Sequence, residues 1–253
     1  MNDLRLPFTE HLGELRNRLI ICLAALVLGM IPGWFISAPV QAFLQAPLDA
    51  VLPQGSQIVN LSVTEGFSNR LRISLIAGLF FSLPVLFYQA WRFVAPGLYS
   101  HERRYIIPFA LAFAFFFFAG AAFGYRFIFP TTLSFFASFT GAGVPALVSQ
   151  ASYQSFAFWM FVAFGAVFET PLAIVLLARF GIVDPRSLAR QRKIAVLLAF
   201  VAAAILTPSP DAFTQTMLAV PMYLLFELGL LGARIIGKKP APEESDAPAP
   251  QAT

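Results

Sequence analysis

Long apolar runs recur along the whole chain, and they constrain the fold more than any other feature of the sequence. They occupy residues 19–36, 69–91, 105–127, 154–178, 194–206 and 213–233. A helix needs about 20 apolar residues to cross the hydrocarbon layer of a bilayer. Backbone groups in lipid must be hydrogen-bonded within the protein, so helices are the expected spanning structure. A β-barrel is excluded because its strands would be short segments of alternating hydropathy.

The composition also indicates a chain embedded in a membrane. Charged residues make up 12% of the sequence and hydrophobic residues 58%, whereas a soluble domain carries about 25% charged residues. We therefore predict an all-α polytopic membrane protein, with one transmembrane domain over 1–233 and a disordered cytoplasmic tail over 234–253. The basic residues lie in short clusters between the apolar runs, which is how membrane topology is encoded, and nucleic acid is excluded as a partner.

An interfacial helix is predicted before the first run, over about 7–18. Phe8, Leu12 and Leu15 fall on one apolar stripe at helical spacing. Glu14 and Arg18 share another face at i, i+4, a spacing that favours an ion pair. The first run is longer than the roughly 7–15 apolar residues of a signal peptide and no A-x-A site follows it, so we expect it to be retained as a span.

The fifth run is short for a transmembrane helix. Residues 194–206 would form a helix of about 20 Å, whereas the hydrocarbon layer is about 30 Å thick. One interpretation is six transmembrane helices with short fifth and sixth spans and a locally thinned bilayer. The other is four spans plus a re-entrant hairpin formed by the fifth and sixth runs.

The distribution of lysine and arginine predicts the orientation. All but three of the 17 lysines and arginines lie in the N-terminal segment, the loops 92–104 and 179–193, or the tail. The exceptions are Arg70, Arg72 and Arg126. The positive-inside rule then places both termini in the cytoplasm, for either interpretation of the last two runs.

The motifs of familiar catalytic and metal sites are missing from the sequence. The two histidines, His11 and His101, would need several further ligands to hold a metal. There is no His-Glu-x-x-His, no Gly-x-Ser-x-Gly and no phosphate-binding loop. We therefore predict that the chain is not an enzyme and binds neither a metal nor a cofactor, and an intramembrane protease is disfavoured.

Two glutamates at the predicted cytoplasmic face have basic neighbours. Glu14 and Glu102 belong to separate segments on the same side of the membrane. They could be solvated surface ion pairs, which contribute little to stability. They could instead form a pair of carboxylates that accepts guanidinium groups from a partner, because the planar fork of arginine binds a carboxylate with two parallel hydrogen bonds. The spacing alone leaves both interpretations open.

Glu169 lies inside the fourth apolar run, beside Pro171. A carboxylate deep in a bilayer is costly unless it faces protein or a water-filled cavity. The proline removes one helical hydrogen bond and loosens the helix locally. Glu169 is therefore either a polar contact between packed helices or a polar site for a partner helix or a substrate.

Six segments together resemble a known membrane-protein family. In chain order they are HLGELRNRL at 11–19, QAPLDAVLPQG at 45–55, FVAPGLYSHERR at 93–104, AFGYRFIFP at 122–130, FGAVFETPLAIVLL at 164–177 and LTPSPDAFTQTMLAVPMYLLFELG at 206–229. In this order and spacing they are similar to the TatC family, the multi-spanning subunit of the twin-arginine protein translocase. The resemblance implies six spans in a cupped, glove-like bundle in the bacterial cytoplasmic (inner) membrane, with both termini cytoplasmic.

The resemblance also implies a function. TatC-like proteins recognise signal peptides that carry an Arg-Arg pair and help to export folded proteins with the proton motive force. The implied partners are the twin-arginine signal peptides of folded precursors and single-span proteins of the TatB and TatA type, in a larger oligomeric complex. A proton-coupled secondary transporter of small solutes, with Glu169 as its proton site, stays the alternative.

Several family positions are matched residue by residue. The resemblance implies that the Arg-Arg pair is bound by Glu14, Arg16, Phe93, Leu98, Glu102 and Arg103. It implies that Glu169 docks partner helices and the signal helix. Further matched positions are Pro47, Tyr125 and Asp211. Two positions depart from the family pattern, Gly66 where proline is common and Thr214 where serine is frequent.

Overall fold

The protein is described by a computed structural model for residues 8–94, 106–139, 145–206 and 211–236. Within these ranges the helices are α1 (Phe8–Phe35), α2 (Ser37–Asp49), α3 (Glu65–Val94), α4 (Ile106–Phe123), α5 (Phe129–Ser138), α6 (Gln150–Phe168), α7 (Thr170–Arg179), α8 (Pro185–Arg190), α9 (Arg192–Leu206) and α10 (Ala212–Ile236). A π-helical segment, Gly124–Ile128, joins α4 to α5. The predicted all-α, polytopic fold class is confirmed, and the tail beyond Ile236 lies outside the described residues.

Five helical stretches in the described ranges are long and apolar enough to cross a membrane. They are Leu12–Phe35, Glu65–Phe93, Ile107–Ser138, Gln150–Arg179 and Ala212–Ile235. The fifth apolar run forms α9, whose 15 residues extend about 22 Å, so this helix is short as predicted. The sixth is longer than predicted, because α10 has 25 residues. The fold is compatible with six spans, and α10 is long enough to cross without a re-entrant turn.

Some element boundaries differ from those predicted. The predicted interfacial helix and the first span form one continuous helix, α1. The helix of the third span does not end near residue 127, where the span was predicted to end, but continues through the π-helical segment to Ser138. The first linker contains α2 and a short strand, β1 (Gln57–Val59), which pairs in parallel with β2 (Leu147–Ser149) of the second linker. Strands of three residues carry too little alternation to be predicted from sequence.

Glycines allow α1 and α3 to pack closely as an antiparallel pair. A Cβ atom added at Gly29 would lie 2.7 Å from the carbonyl oxygen of Gly78, and one at Gly33 would lie 2.8 Å from that of Ser74. Lipid tails are as apolar as leucine, so helices in a bilayer associate through close packing at small residues. Gly29 and Gly33 form the Gly-x-x-x-Gly spacing typical of such contacts, and it brings the two backbones together here.

A second Gly-x-x-x-Gly pair lets α4 pack against α6. A Cβ atom added at Gly120 would lie 2.4 Å from the carbonyl oxygen of Phe164, and Gly124 faces the Phe164 ring. The Phe164 and Phe129 side chains are only 1% exposed, and both belong to the main apolar core. The phenylalanines of the third run divide between this core, against which Phe123 packs, and the outer surface of the bundle, where Phe115 is 68% exposed.

Hydrogen bonds between the ends of the spans and the two linkers stabilise the end of the bundle at which α1 ends and α3 begins. Tyr125 donates its hydroxyl to the carbonyl oxygen of Phe43 at 2.6 Å, and the two rings stack at 4.2 Å. The Tyr153 hydroxyl bonds to the Leu44 carbonyl. Glu65 accepts hydrogen bonds from the backbone N–H groups of Ser62 at 3.1 Å in α3's own entry turn and of Ala151 at 3.3 Å in α6. These bonds satisfy the irregular backbone where the chain leaves its helices.

Candidate functional site

Glu14 is held in place near the beginning of α1. It forms an ion pair with Arg18 one helical turn later, and its side chain is 25% exposed. Arg18 also donates from Nη1 to the side-chain oxygen of the buried Gln89 on α3, at 3.2 Å. Arg18 therefore links the Glu14 carboxylate to the neighbouring helix, which limits the orientations that both side chains adopt.

The antiparallel register of α1 and α3 places Glu14 beside the end of α3. Gly29 lies opposite Gly78 and Arg18 opposite Gln89. Continued by one turn, the same register brings Glu14 to the level of Phe93, the last residue but one of α3. Glu14 thus lies at the end of the bundle where α3 ends.

Some of the other predicted signal-binding residues lie within the described ranges, and the rest lie outside them. Arg16 is exposed and Phe93 is half-buried. Leu98, Glu102 and Arg103 lie outside the described residues. The convergence of Glu14 with Glu102 therefore stays a prediction, although Glu14 lies level with the end of α3, which precedes Glu102 in the chain.

Glu169 lies at a break in the fourth span. It separates α6 from α7, with φ −72° and ψ −17°, and Pro171 follows within the first turn of α7. Proline has no N–H to donate, so the helix is not continued through this point by a full set of hydrogen bonds. Both carboxylate oxygens are buried, and neither has a hydrogen-bond partner among the residues that the structure describes.

A buried, unsatisfied carboxylate is costly in a membrane protein, where such groups normally pair with one another or with backbone. Of the two interpretations left open by the sequence, a polar contact between packed helices fits Glu169 less well, because neither carboxylate oxygen forms a hydrogen bond with a side chain in the described ranges. A site that a partner helix or a substrate completes fits better.

Pro47 and Tyr125 belong to the opposite end of the bundle from Glu14. Pro47 is buried within α2, and Tyr125 lies in the π-helical segment, bonded to Phe43 of α2. Both residues therefore position α2 against the ends of the spans. They do not join Glu14 in one site.

Asp211 is the cap at the start of α10. Its carboxylate accepts a hydrogen bond from the backbone N–H of Thr214 at 2.8 Å, and the Thr214 hydroxyl bonds to the same carboxylate. Such a side chain satisfies one of the free N–H groups at a helix start. Threonine in place of the frequent serine keeps the hydroxyl that this cap uses.

An ion pair that the sequence analysis did not predict joins α9 to α10. Arg192 donates from Nε to Oε1 of Glu227 at 2.7 Å and from Nη2 to Oε2 at 2.9 Å. Tyr223 adds a hydrogen bond to Oε1 at 2.7 Å. The two helices run antiparallel, so the start of α9 lies beside the end of α10. The basic residue at the first position and the acidic residue at the second could have predicted this pair.

The fold and these sites define the class of protein to which the chain belongs. The chain is a polytopic helical membrane protein with one acidic residue at an end of the bundle and another, unpaired among the described residues, inside a broken span. The described ranges contain no group of three or more histidine, cysteine or acidic side chains that could hold a metal ion.

Comparison with known proteins identifies the family. The family model described as "Sec-independent protein translocase protein (TatC)" matches residues 10–221. The chain belongs to the TatC family, whose members are components of a protein translocase and serve transport. The resemblance seen in the sequence motifs is confirmed.

Individual relatives agree with this assignment. The TatC protein of Desulforapulum autotrophicum is 41% identical over 241 residues, which cover 95% of this chain and 89% of the relative. That of Escherichia coli K12 is 40% identical over 233 residues, covering 92% and 90%. A solved structure described as the twin-arginine translocase receptor TatC superposes with a TM-score of 0.76 at 35% identity, covering 89% of this chain and 99% of that one.

Proposed function

We propose that this chain is the signal-peptide receptor and core scaffold of a twin-arginine translocase, which exports folded proteins across the bacterial cytoplasmic membrane with the proton motive force. Membership of the TatC family supports this proposal, as does the similarity to a structure described as a twin-arginine translocase receptor. The lysine and arginine distribution supports an orientation with both termini in the cytoplasm.

The observation that carries the proposal is the position of Glu14. Its carboxylate lies level with the end of α3, and Arg18 ties it to Gln89 of that helix. The next segment of chain carries Glu102. An arginine pair of a signal peptide offers two planar guanidinium groups, each of which a carboxylate binds with parallel, charge-assisted hydrogen bonds. Two carboxylates at one rim of the bundle suit two arginines.

Glu169 supplies the second part of the mechanism. After the arginine pair binds at the surface, the apolar part of the signal lies along the spans and meets the break between α6 and α7. A polar group of the signal or of a single-span TatB-like or TatA-like partner satisfies the buried carboxylate. Docking at Glu169 therefore assembles the larger complex in which this chain is the scaffold.

A small-solute transporter is not favoured by the comparisons, since the family and the relatives are protein translocase components. That alternative predicts solute uptake by vesicles that contain this chain alone. The receptor function predicts no such uptake and needs the single-span partners for export.

Crosslinking of a signal peptide tests the receptor function. A photoreactive residue at Ala90, exposed beside Gln89, should form adducts with a peptide that carries an Arg-Arg pair. Glu14→Gln and Glu102→Gln should each lower the adduct yield by about tenfold to a hundredfold, because each removes one charge-assisted contact of about 1.5–3 kcal/mol. A Lys-Lys peptide should bind less well than the Arg-Arg peptide, because ammonium groups lack the fork geometry.

Glu243→Gln in the tail is the matched control, with the same charge change on the same predicted side, and its adduct yield should equal that of wild type. Glu14→Gln should keep the fold, because Arg18 retains Gln89. Adducts at the wild-type level with both the Glu14 and Glu102 variants would show that the carboxylates do not bind the signal.

A further inference from the structure

An apolar cavity of about 540 Å³ lies between α2, α3 and α4 and opens to the outside of the bundle. Val40, Ile76, Phe80 and Phe118 are among its lining residues. Every lining residue is apolar except Tyr125 and Arg126. The Tyr125 hydroxyl is already bonded to the Phe43 carbonyl, so Arg126 is the polar group that the cavity offers to an occupant.

Arg126 differs from the two other cations at this end of the bundle. Arg70 donates to the Ser37 hydroxyl at 3.0 Å and lies over the Trp34 ring. Arg72 donates to the Ala151 carbonyl at 3.3 Å. Arg126 is exposed, and it makes no ion pair or hydrogen bond with any residue in the described ranges. Its guanidinium group is thus available at the opening of the cavity.

The position of Arg126 along its helix matches the level of lipid headgroups. It follows Ile106 by 20 residues in one continuous helical stretch, a distance of about 30 Å. That is about the thickness of the hydrocarbon layer. If α4 enters the layer near its first residue, Arg126 reaches the far boundary, where lipid phosphates lie and where long basic side chains extend to polar surroundings.

The size of the cavity decides between a lipid and a protein helix. A transmembrane helix is about 10 Å wide and 30 Å long, which is several times the volume of this cavity. A single acyl chain is narrow enough to enter. An arginine binds a phosphate with two parallel hydrogen bonds, and an anionic headgroup has no ammonium group of its own to compete with that contact.

We propose that this cavity holds one acyl chain of an anionic phospholipid whose phosphate is bound by Arg126. The site is separate from Glu14 and Glu169, and it does not depend on the receptor function. The bound lipid fills the space that the α2–α3–α4 packing leaves open, so it completes the surface of the bundle on that side.

Retention of lipids by the purified chain tests the headgroup contact. Native mass spectrometry after extraction from vesicles of phosphatidylglycerol and phosphatidylcholine should show phosphatidylglycerol retained preferentially. Arg126→Gln should reduce that preference about tenfold, the loss expected for one charge-assisted contact. Arg72→Gln, with the same charge change at the same end of the bundle, should keep it. Equal preference in the Arg126→Gln variant and wild type would overturn the proposal.

A cavity-filling substitution tests the acyl-chain contact. Ala122 lines the cavity and is exposed, so Ala122→Trp should fill it and lower the retention of both lipids. Phe115→Trp, on the lipid-facing side of the same helix, is the control and should retain lipid normally. Unchanged retention by a folded Ala122→Trp variant contradicts the proposal. A photoreactive residue at Phe81 provides a second test in native membranes. Adducts with protein instead of lipid would also contradict the proposal.

Discussion

Glu169→Leu is expected to stabilise the isolated chain and at the same time to abolish export. The two carboxylate oxygens are buried without a hydrogen-bond partner in the described part of the chain. Removing an unsatisfied buried polar group relieves a desolvation cost of about 1–3 kcal/mol. Leucine is similar in volume, so the substitution leaves no large cavity. The free energy of unfolding should therefore rise.

The loss of export follows from the proposed docking at Glu169. A charge-assisted contact in a low-dielectric setting contributes up to about 3 kcal/mol, so export of a twin-arginine reporter should fall roughly a hundredfold. The measurements are the midpoint of unfolding in detergent and the rate of reporter export in cells. Normal export by the Glu169→Leu variant would show that Glu169 has no part in the mechanism.

Glu227→Leu is the control with the opposite sign for stability. Glu227 is also an acidic residue of the bundle, but it binds Arg192 through two hydrogen bonds and accepts a third from Tyr223. Its loss leaves both partners without their acceptor, so the midpoint of unfolding should fall. If the Glu169 and Glu227 variants shift stability in the same direction, the contrast drawn between a satisfied and an unsatisfied carboxylate is wrong.

The second large effect is expected at the contact between α1 and α3. A Cβ atom at Gly29 would lie 2.7 Å from the Gly78 carbonyl oxygen and 3.1 Å from its Cα. Both are backbone atoms, which no side-chain rotation can move. Gly29→Leu must therefore push the helices apart, and we expect a loss of about 3 kcal/mol in the free energy of unfolding.

The Gly29 prediction is checked by unfolding in mixed detergent micelles. Gly13 is the matched control, because it lies on the same helix and a Cβ atom there would have no neighbour within 4 Å. Gly13→Leu should leave stability unchanged or raise it by up to about 1 kcal/mol, since leucine favours the helix. Separation of α1 from α3 should also weaken the Arg18–Gln89 contact, so Gly29→Leu should lower signal-peptide crosslinking as well. Similar stability for the two glycine variants would show that the close approach is not needed.

Hydropathy predicted the class of fold and most of the long helices. The bilayer imposes helices on long apolar runs because the backbone must be satisfied internally. Hydropathy predicted the helix of the first run and the short helix of the fifth run, and Pro171 predicted the interruption of the fourth. The continuation of the helix to Ser138, beyond the third apolar run, was not predicted, because polar residues such as Thr131 and Ser134 are tolerated where a helix lies outside the hydrocarbon layer.

The motifs predicted the candidate residues but not their surroundings. Glu14 and Glu169 were both singled out as acidic residues in the sequence, and both could have been part of ordinary ion pairs. The structure shows Glu14 paired with Arg18 and Glu169 without a partner in the described ranges. In the sequence, the exposed Arg126 was one of three exceptions to the charge distribution, and only its position at the opening of a cavity distinguishes it.

Residues that are contiguous in the chain are enough to identify a helical membrane protein of the TatC family, because hydropathy and short motifs are local properties. The tertiary structure alone decided which helix faces approach closely, which carboxylate is paired and where the bundle leaves a cavity. These features depend on contacts between residues as far apart as Arg18 and Gln89, and no periodicity within one segment specifies them.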